Sequence, residues 1–137
     1  MNRALIIIVL SFLAIQQAWA DIVVIVNPAN QDAISKADVR RMYMGKTSQF
    51  PNGSKVKAVN YDAENTIRHA FDKALLKRDS AQIQALWAKL VFTGQGVPPN
   101  ELSSSQEALE FVKANPDAIG YVSEGEVSAD VKVLFKL

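Results

Sequence analysis

The chain contains no cysteine and only one histidine among its 137 residues. Without cysteine there is no disulfide and no thiol nucleophile, so an exported domain of this size must rely on packing. The single histidine, His69, follows Arg68 in a helical pattern, where we expect a surface role. No Gly-x-Ser-x-Gly elbow and no His/Asp/Glu cluster with metal-ligand spacing is present. These absences argue against an enzyme, and we expect no cofactor.

An excess of charge is also lacking. The chain has 15 basic and 14 acidic side chains. Removing the leader takes away Arg3 alone among them, which leaves 14 of each sign and a formal charge of about zero. This balance gives no indication of nucleic acid or a membrane surface as a partner.

The first 20 residues are typical of a secretory signal peptide. A short positive start with Arg3 precedes an apolar run from Ala4 to Ile15, which is too short to span a bilayer. Ala18-Trp19-Ala20 then provides a small-x-small cleavage signal. The mature chain would begin at Asp21 and hold 117 residues, enough for one domain. We expect the periplasm, with true secretion as the alternative.

Strands and helices alternate along residues 21–137. Ile22 to Val26 is an unbroken β-branched run, which favours a strand covered on both faces. Further strands are predicted at Lys55 to Val59, Ala118 to Val122 and Val131 to Lys136, with amphipathic helices between them. The pattern predicts a single layered α/β domain with a mostly parallel sheet. The aromatic side chains expected in its core include Trp87, Phe92 and Phe111.

A polar turn from Asn60 to Asn65 leads into the most informative helix. Asp62 or Asn65 can cap its first turn, and a helix start after a strand attracts anions through free N–H groups. Arg68, in that first turn, could add a fork of donors. The plainer alternative, which the residues favour when taken alone, is that Asp62 and Asn65 only cap and that Arg68 is solvated.

A second loop, Asn27 to Asn30, follows the first strand. Ligands of parallel α/β sheets gather beyond the carboxyl ends of strands, and both loops fit that description. The candidate ligand-binding residues are therefore Asn27, Asn30, Asp62, Asn65, Thr66 and Arg68.

Several segments together resemble a known family. They are, in chain order, Asn27-Pro28, Asp38 to Lys46, Arg68-x-x-Phe71, Leu86-Trp87, Phe92-Thr93-Gly94 and Asn115 to Val122. In this order they resemble the phosphate-binding proteins of ABC transporters, a branch of the type II periplasmic binding protein fold. The resemblance spans nearly all of the mature chain and corresponds to about one lobe of a two-lobed receptor.

In that family a Ser-Gly-Thr loop at a helix start cradles phosphate, often with an arginine nearby. Aligning on Asp62 sets Thr66 on the family threonine, whereas aligning on Arg68-x-x-Phe71 sets Asn65 on the serine. In both registers Glu64 departs from the pattern, and its carboxylate would repel a bound phosphate.

The resemblance implies a periplasmic protein that binds phosphate or a related oxyanion for an ABC transporter, with a permease as a possible partner. The alternative is a non-transport interaction or adaptor module that kept the lobe and lost the ligand. A single open lobe would bind its ligand weakly, so we expect either a weakly binding monomer or a homodimer with the Asn27–Asn30 and Asn60–Thr66 loops near its interface.

Overall fold

The structure, a computed structural model, describes residues 21–137. The signal peptide expected over residues 1–20 lies outside the described residues. Within 21–137, no helix combines the length and the apolar character that crossing a membrane requires.

The described chain forms an α/β domain, as the sequence predicts. Its five strands are β1 (Ile22–Val26), β2 (Lys57–Tyr61), β3 (Asn100–Leu102), β4 (Ala118–Ser123) and β5 (Lys132–Lys136). Its α-helices are α1 (Lys36–Tyr43), α2 (Thr66–Phe71), α3 (Ser80–Phe92) and α4 (Ser105–Ala114). A π-helical turn, Asp72–Leu76, extends α2, and a 3₁₀ turn, Glu124–Glu126, follows β4.

The sheet is mixed, so the expectation of a mostly parallel sheet is only partly right. The strand order is β3-β2-β4-β1-β5. Strand β2 pairs in parallel with β3 and β4, whereas β1 pairs antiparallel with β4 and β5. Strand β1 is buried on both faces, and such a run has no side-chain pattern that reveals its direction.

The reversal of β1 separates the two loops that the sequence analysis grouped. Val26 at the end of β1 pairs with Ile119, and Ile119 also pairs with Ala58 near the start of β2. Loop Asn27–Asn30 therefore lies where β2 and β4 begin, and loop Asp62–Thr66 lies where they end. The expectation that the two loops form one ligand edge is wrong.

An aromatic cluster joins the helices to the sheet. The rings of Phe71 and Tyr121 stack with centroids 3.8 Å apart, and Tyr43 meets Phe71 edge-on at 4.9 Å. The Tyr43 hydroxyl donates to the carbonyl of Val59 over 2.7 Å, which ties α1 to β2. Burial raises the pKa of Tyr43 well above its usual value, so this hydroxyl stays a neutral donor.

The expectation that Phe92 belongs to the core is wrong, because its side chain is 93% exposed. Ile83 and Trp87 form the buried stripe of α3. Phe92 lies five residues after Trp87, about 140° around the helix from that stripe. Trp87 is buried as expected, and Phe111 is partly buried against the core.

Replacing Phe71 by alanine should lower the free energy of unfolding by about 3–5 kcal/mol, because it empties a fully buried site. Phe92→Ala is the matched control and should change stability by less than about 0.5 kcal/mol. Urea denaturation followed by circular dichroism measures both. Equal losses in the two variants would contradict the packing described here.

Candidate functional site

The loop from Asp62 to Thr66 is shaped by its own side chains. The Asp62 carboxylate accepts a hydrogen bond from the amide of Glu64 over 2.9 Å, which closes a tight turn. The Asn65 side chain accepts from the amide of Ile67 over 2.8 Å and caps α2. Of the two predicted capping residues, Asn65 is the cap and Asp62 forms the turn before it.

This loop offers a few free donors to an anion. The amides of Ala63 and Thr66 make no hydrogen bond to any other described residue, and the Thr66 side chain is exposed. A hollow of about 510 Å³ lies beside them, with Glu64, His69 and Lys73 in its lining. Lys73 would attract an anion there, whereas Glu64 and Asp79 would repel it; Asp79 also lines the hollow, with its Oδ1 4.0 Å from Nζ of Lys73.

Arg68 lies behind the loop and does not line this hollow. Its side chain is only 3% exposed. Its Nη1 donates to the carbonyl of Tyr61 over 2.9 Å and to the Glu101 carboxylate over 3.1 Å. The guanidinium therefore holds the last residue of β2 in place, and in this structure it acts on the loop by positioning it.

Behind Arg68 lies a buried carboxylate. Asp72 has no exposed surface, and its Oδ2 lies 3.5 Å from Nε of Arg68. The Ser80 hydroxyl donates to the same oxygen over 2.7 Å. Burial raises the pKa of Asp72, while the Ser80 hydrogen bond and the charge of Arg68 oppose that rise. The cluster links α2, its π-helical turn and the start of α3.

Asn27 and Asn30 are engaged at the opposite end of the sheet. The Asn27 amide donates to the carbonyls of Val112 and Lys113 over 3.0 and 2.9 Å, so it joins β1 to the end of α4. The Asn30 side chain accepts from the amide of Asp32 over 3.0 Å. Of the six candidate residues, the structure brings Asp62, Asn65 and Thr66 together, sets Arg68 behind them and leaves Asn27 and Asn30 apart.

Glu101, Asp72 and Ser80 were missed at the level of sequence. The spacing of Arg68 and Asp72, four residues apart on a helix, was a readable signal of an ion pair. Glu101 had no signal, because the three-residue strand β3 that carries it follows Pro98-Pro99 and has no alternating pattern. No group of three or more acidic or histidine side chains within 21–137 is arranged to hold a metal ion.

Ser80→Ala should lower the free energy of unfolding by about 1–3 kcal/mol at neutral pH, because the buried Asp72 carboxylate loses its hydroxyl donor. The loss should shrink as the pH falls through the pKa of Asp72, which lies above 3.8 in the folded state, since the protonated group needs this donor less. Ser103→Ala, on an exposed residue, is the control. Urea unfolding at several pH values measures both, and a loss independent of pH would contradict this role.

The fold can be compared with known proteins. No family model matches the chain, and no curated protein matches its sequence. Among solved structures, it is similar to an ABC-type phosphate transport receptor from Vibrio cholerae, with 19% identity and a TM-score of 0.64, over 83% of this chain and 45% of that one. PstS from Borrelia burgdorferi matches with 16% identity and a TM-score of 0.64, over 83% and 46%.

A protein described as a candidate phosphate ABC transporter substrate-binding protein from Clostridium perfringens, solved with bound phosphate, matches with 19% identity and a TM-score of 0.67. That match covers 83% of this chain and 44% of the other. The chain thus spans a little under half the length of the structures it matches. At these identities the likeness establishes the fold. Residues 21–137 therefore have the fold of about one lobe of these phosphate-binding receptors.

Proposed function

We propose that the protein is an exported solute-binding protein that takes phosphate or a related small oxyanion, in the service of an ABC transporter. The observation that carries the proposal is the fold match, at a TM-score of 0.67, to a chain solved with bound phosphate. The signal-peptide pattern of residues 1–20 supports export, to the periplasm or beyond the cell. The proposed role is binding rather than catalysis.

The proposed anion site is the loop Asp62–Thr66. The free amides of Ala63 and Thr66 and the Thr66 hydroxyl are its donors, and Asp62 and Asn65 hold their geometry. The helical run that begins at Thr66 adds a positive dipole end. Arg68 serves as a positioning residue through its hydrogen bond to Tyr61. Asn27 and Asn30 are outside this site, at the far end of the sheet.

Binding at this loop should be weak in an isolated monomer. The loop is open to water, where charge interactions are about fourfold weaker than at a partly buried site. Glu64 adds repulsion. Tight binding therefore needs a second surface, which a second copy of the chain or the permease would supply.

The alternative role, an interaction module without a ligand, has one observation in its favour. Three apolar side chains near the end of α3 are exposed: Val91 by 51%, Phe92 by 93% and Val97 by 87%. Val91 and Phe92 line one hollow, and contiguous exposed apolar surface marks partner surfaces more often than scattered side chains do. Co-purification from the periplasm separates the two roles, because capture of a stable partner without a permease favours the adaptor.

Calorimetric titration with phosphate and sulfate tests the main proposal. Heat should appear in the millimolar range or below, and no heat with either anion would refute phosphate or sulfate as the ligand. Glu64→Gly should strengthen binding by about 1 kcal/mol, or about fivefold, by removing repulsion and easing the turn. Glu64→Gln separates the charge effect from the backbone effect. Glu110→Gln, the same charge change on an exposed residue of α4, should leave the affinity unchanged.

The assembly expectation can be tested by light scattering with and without phosphate. A weakly binding monomer or a phosphate-promoted dimer agrees with the open loop described above. A strict monomer with micromolar or better affinity would contradict it, because one open lobe would then suffice.

A further inference from the structure

A second groove, of about 790 Å³, lies at the end of β2 opposite the Asp62–Thr66 loop. We call it the Trp87 groove. Three segments line it: the turn after α1 at residues 45–48, the first residues of β2, and the connection from α3 to β3 at residues 94–100. Its lining includes Lys57 at the start of β2, whereas the loop follows Tyr61 at the end of that strand.

The floor of the groove is a fixed indole. Nε1 of Trp87 donates to the carbonyl of Tyr43 over 3.0 Å, so the ring cannot turn freely. Two glycines bring backbone against it. A Cβ on Gly45 would lie 3.2 Å from Cη2 of the indole, and a Cβ on Gly96 would lie 3.2 Å from Cζ3. The backbone at Gly45 and Gly96 thus lies directly against the indole of Trp87 in one groove.

The rim of the groove is positive. Lys46 and Lys57 line it, and its lining contains neither aspartate nor glutamate. Lys57 has one nearby carboxylate, that of Asp117 at 3.7 Å, but both side chains are at least one-third exposed and the pair is weak. The backbone amides of Ser48 and Gly96 make no hydrogen bond to other described residues. Cationic side chains and free amides together are the groups that bind oxyanions.

The remaining wall is apolar. Val97, Pro98 and Pro99 line the groove, and the Val97 side chain is 87% exposed. Apolar surface beside a few convergent polar groups is the usual composition of a small-molecule site, and the volume lies within the range of such sites, about 300–1,000 Å³.

We propose that the Trp87 groove binds an organic oxyanion: a phosphate monoester or a carboxylate whose compact apolar body packs on Val97 and Pro98, over the small exposed part of Trp87. The charged head lies between Lys46, Lys57 and the free amides of Ser48 and Gly96. This site does not depend on phosphate binding at the Asp62–Thr66 loop, since the two lie at opposite ends of β2.

Trp87 itself reports binding. The chain has two tryptophans, Trp19 and Trp87, so the full chain carrying Trp19→Phe has Trp87 as its only tryptophan, which is excited selectively over the tyrosines. Phenyl phosphate and phenylacetate are the probes. Inorganic phosphate, which has only the charged group, and phenol, which has only the aromatic ring, are the control ligands. We expect a probe to change the Trp87 emission saturably. The midpoint concentration should be about tenfold or more below that of inorganic phosphate or phenol alone. The probe that binds more tightly shows whether the groove prefers a phosphate or a carboxylate group.

Side-chain replacements locate the head and the body. Lys46→Gln and Lys57→Gln should each weaken probe binding about tenfold. Lys89→Gln removes the same charge from α3 outside the groove lining and should have no effect. Val97→Ala, on an exposed side chain that folding does not need, should weaken the probes and leave inorganic phosphate unchanged.

Three results would overturn the proposal. The first is no saturable change of Trp87 emission and no calorimetric heat with either probe up to millimolar concentration. The second is equal affinity in Lys46→Gln and Lys89→Gln. The third is probe binding that Thr66→Ala removes and the two groove lysine variants do not, because it would place the organic anion at the loop. Loss of inorganic phosphate binding in Thr66→Ala, with probe binding intact, would support two independent sites.

Discussion

Strand β1 runs against its neighbours, and this one reversal decides which loops meet at each end of the sheet. Because β1 is antiparallel to β4, its carboxyl end meets the starts of β2 and β4. Asn27 therefore bonds to the end of α4, immediately before β4, and is removed from the anion loop. The parallel trio β3, β2 and β4 is left to form the edge that carries the candidate loop Asp62–Thr66.

A buried ion pair then fixes that edge from within. Removing the Arg68 guanidinium and the Asp72 carboxylate from water is costly, and a buried pair is weak evidence for stability on its own. Its geometric effect is clearer, because one guanidinium contacts β2 through Tyr61, β3 through Glu101 and the π-helical turn through Asp72. Arg68 thus couples the shape of the candidate loop to three separate elements, which explains why the arginine of α2 is turned inward.

Sequence patterns predicted the elements better than their arrangement. The β-branched run Ile22–Val26 and the buried position of Trp87 on α3 were readable, since each depends on local spacing. The direction of β1 could not be predicted from the sequence, because a strand buried on both faces has no alternating pattern of polar and apolar side chains. Strand β3 could not be predicted either, because three residues are too few to show a pattern. At the site, the cap at Asn65 followed from residue type, whereas the partner of Arg68 on β3 required the fold.

The hollow beside the Asp62–Thr66 loop and the Trp87 groove are lined by different kinds of groups. This difference follows from their positions at opposite ends of β2. At the carboxyl end, backbone amides emerge at a helix start, and the rings of Tyr61 and Tyr121 are buried in the sheet. Such a surface can hold a small anion by its charge alone. At the amino end, the helices α1 and α3 both finish, and their glycine turns close over Trp87. The carboxyl ends of helices carry a negative partial charge and do not attract an anion, so lysines would have to supply the charge in the proposed groove site, and Val97 and the indole would add an apolar contact that the loop lacks. On these two proposals, one strand would serve two ligand chemistries at its opposite ends.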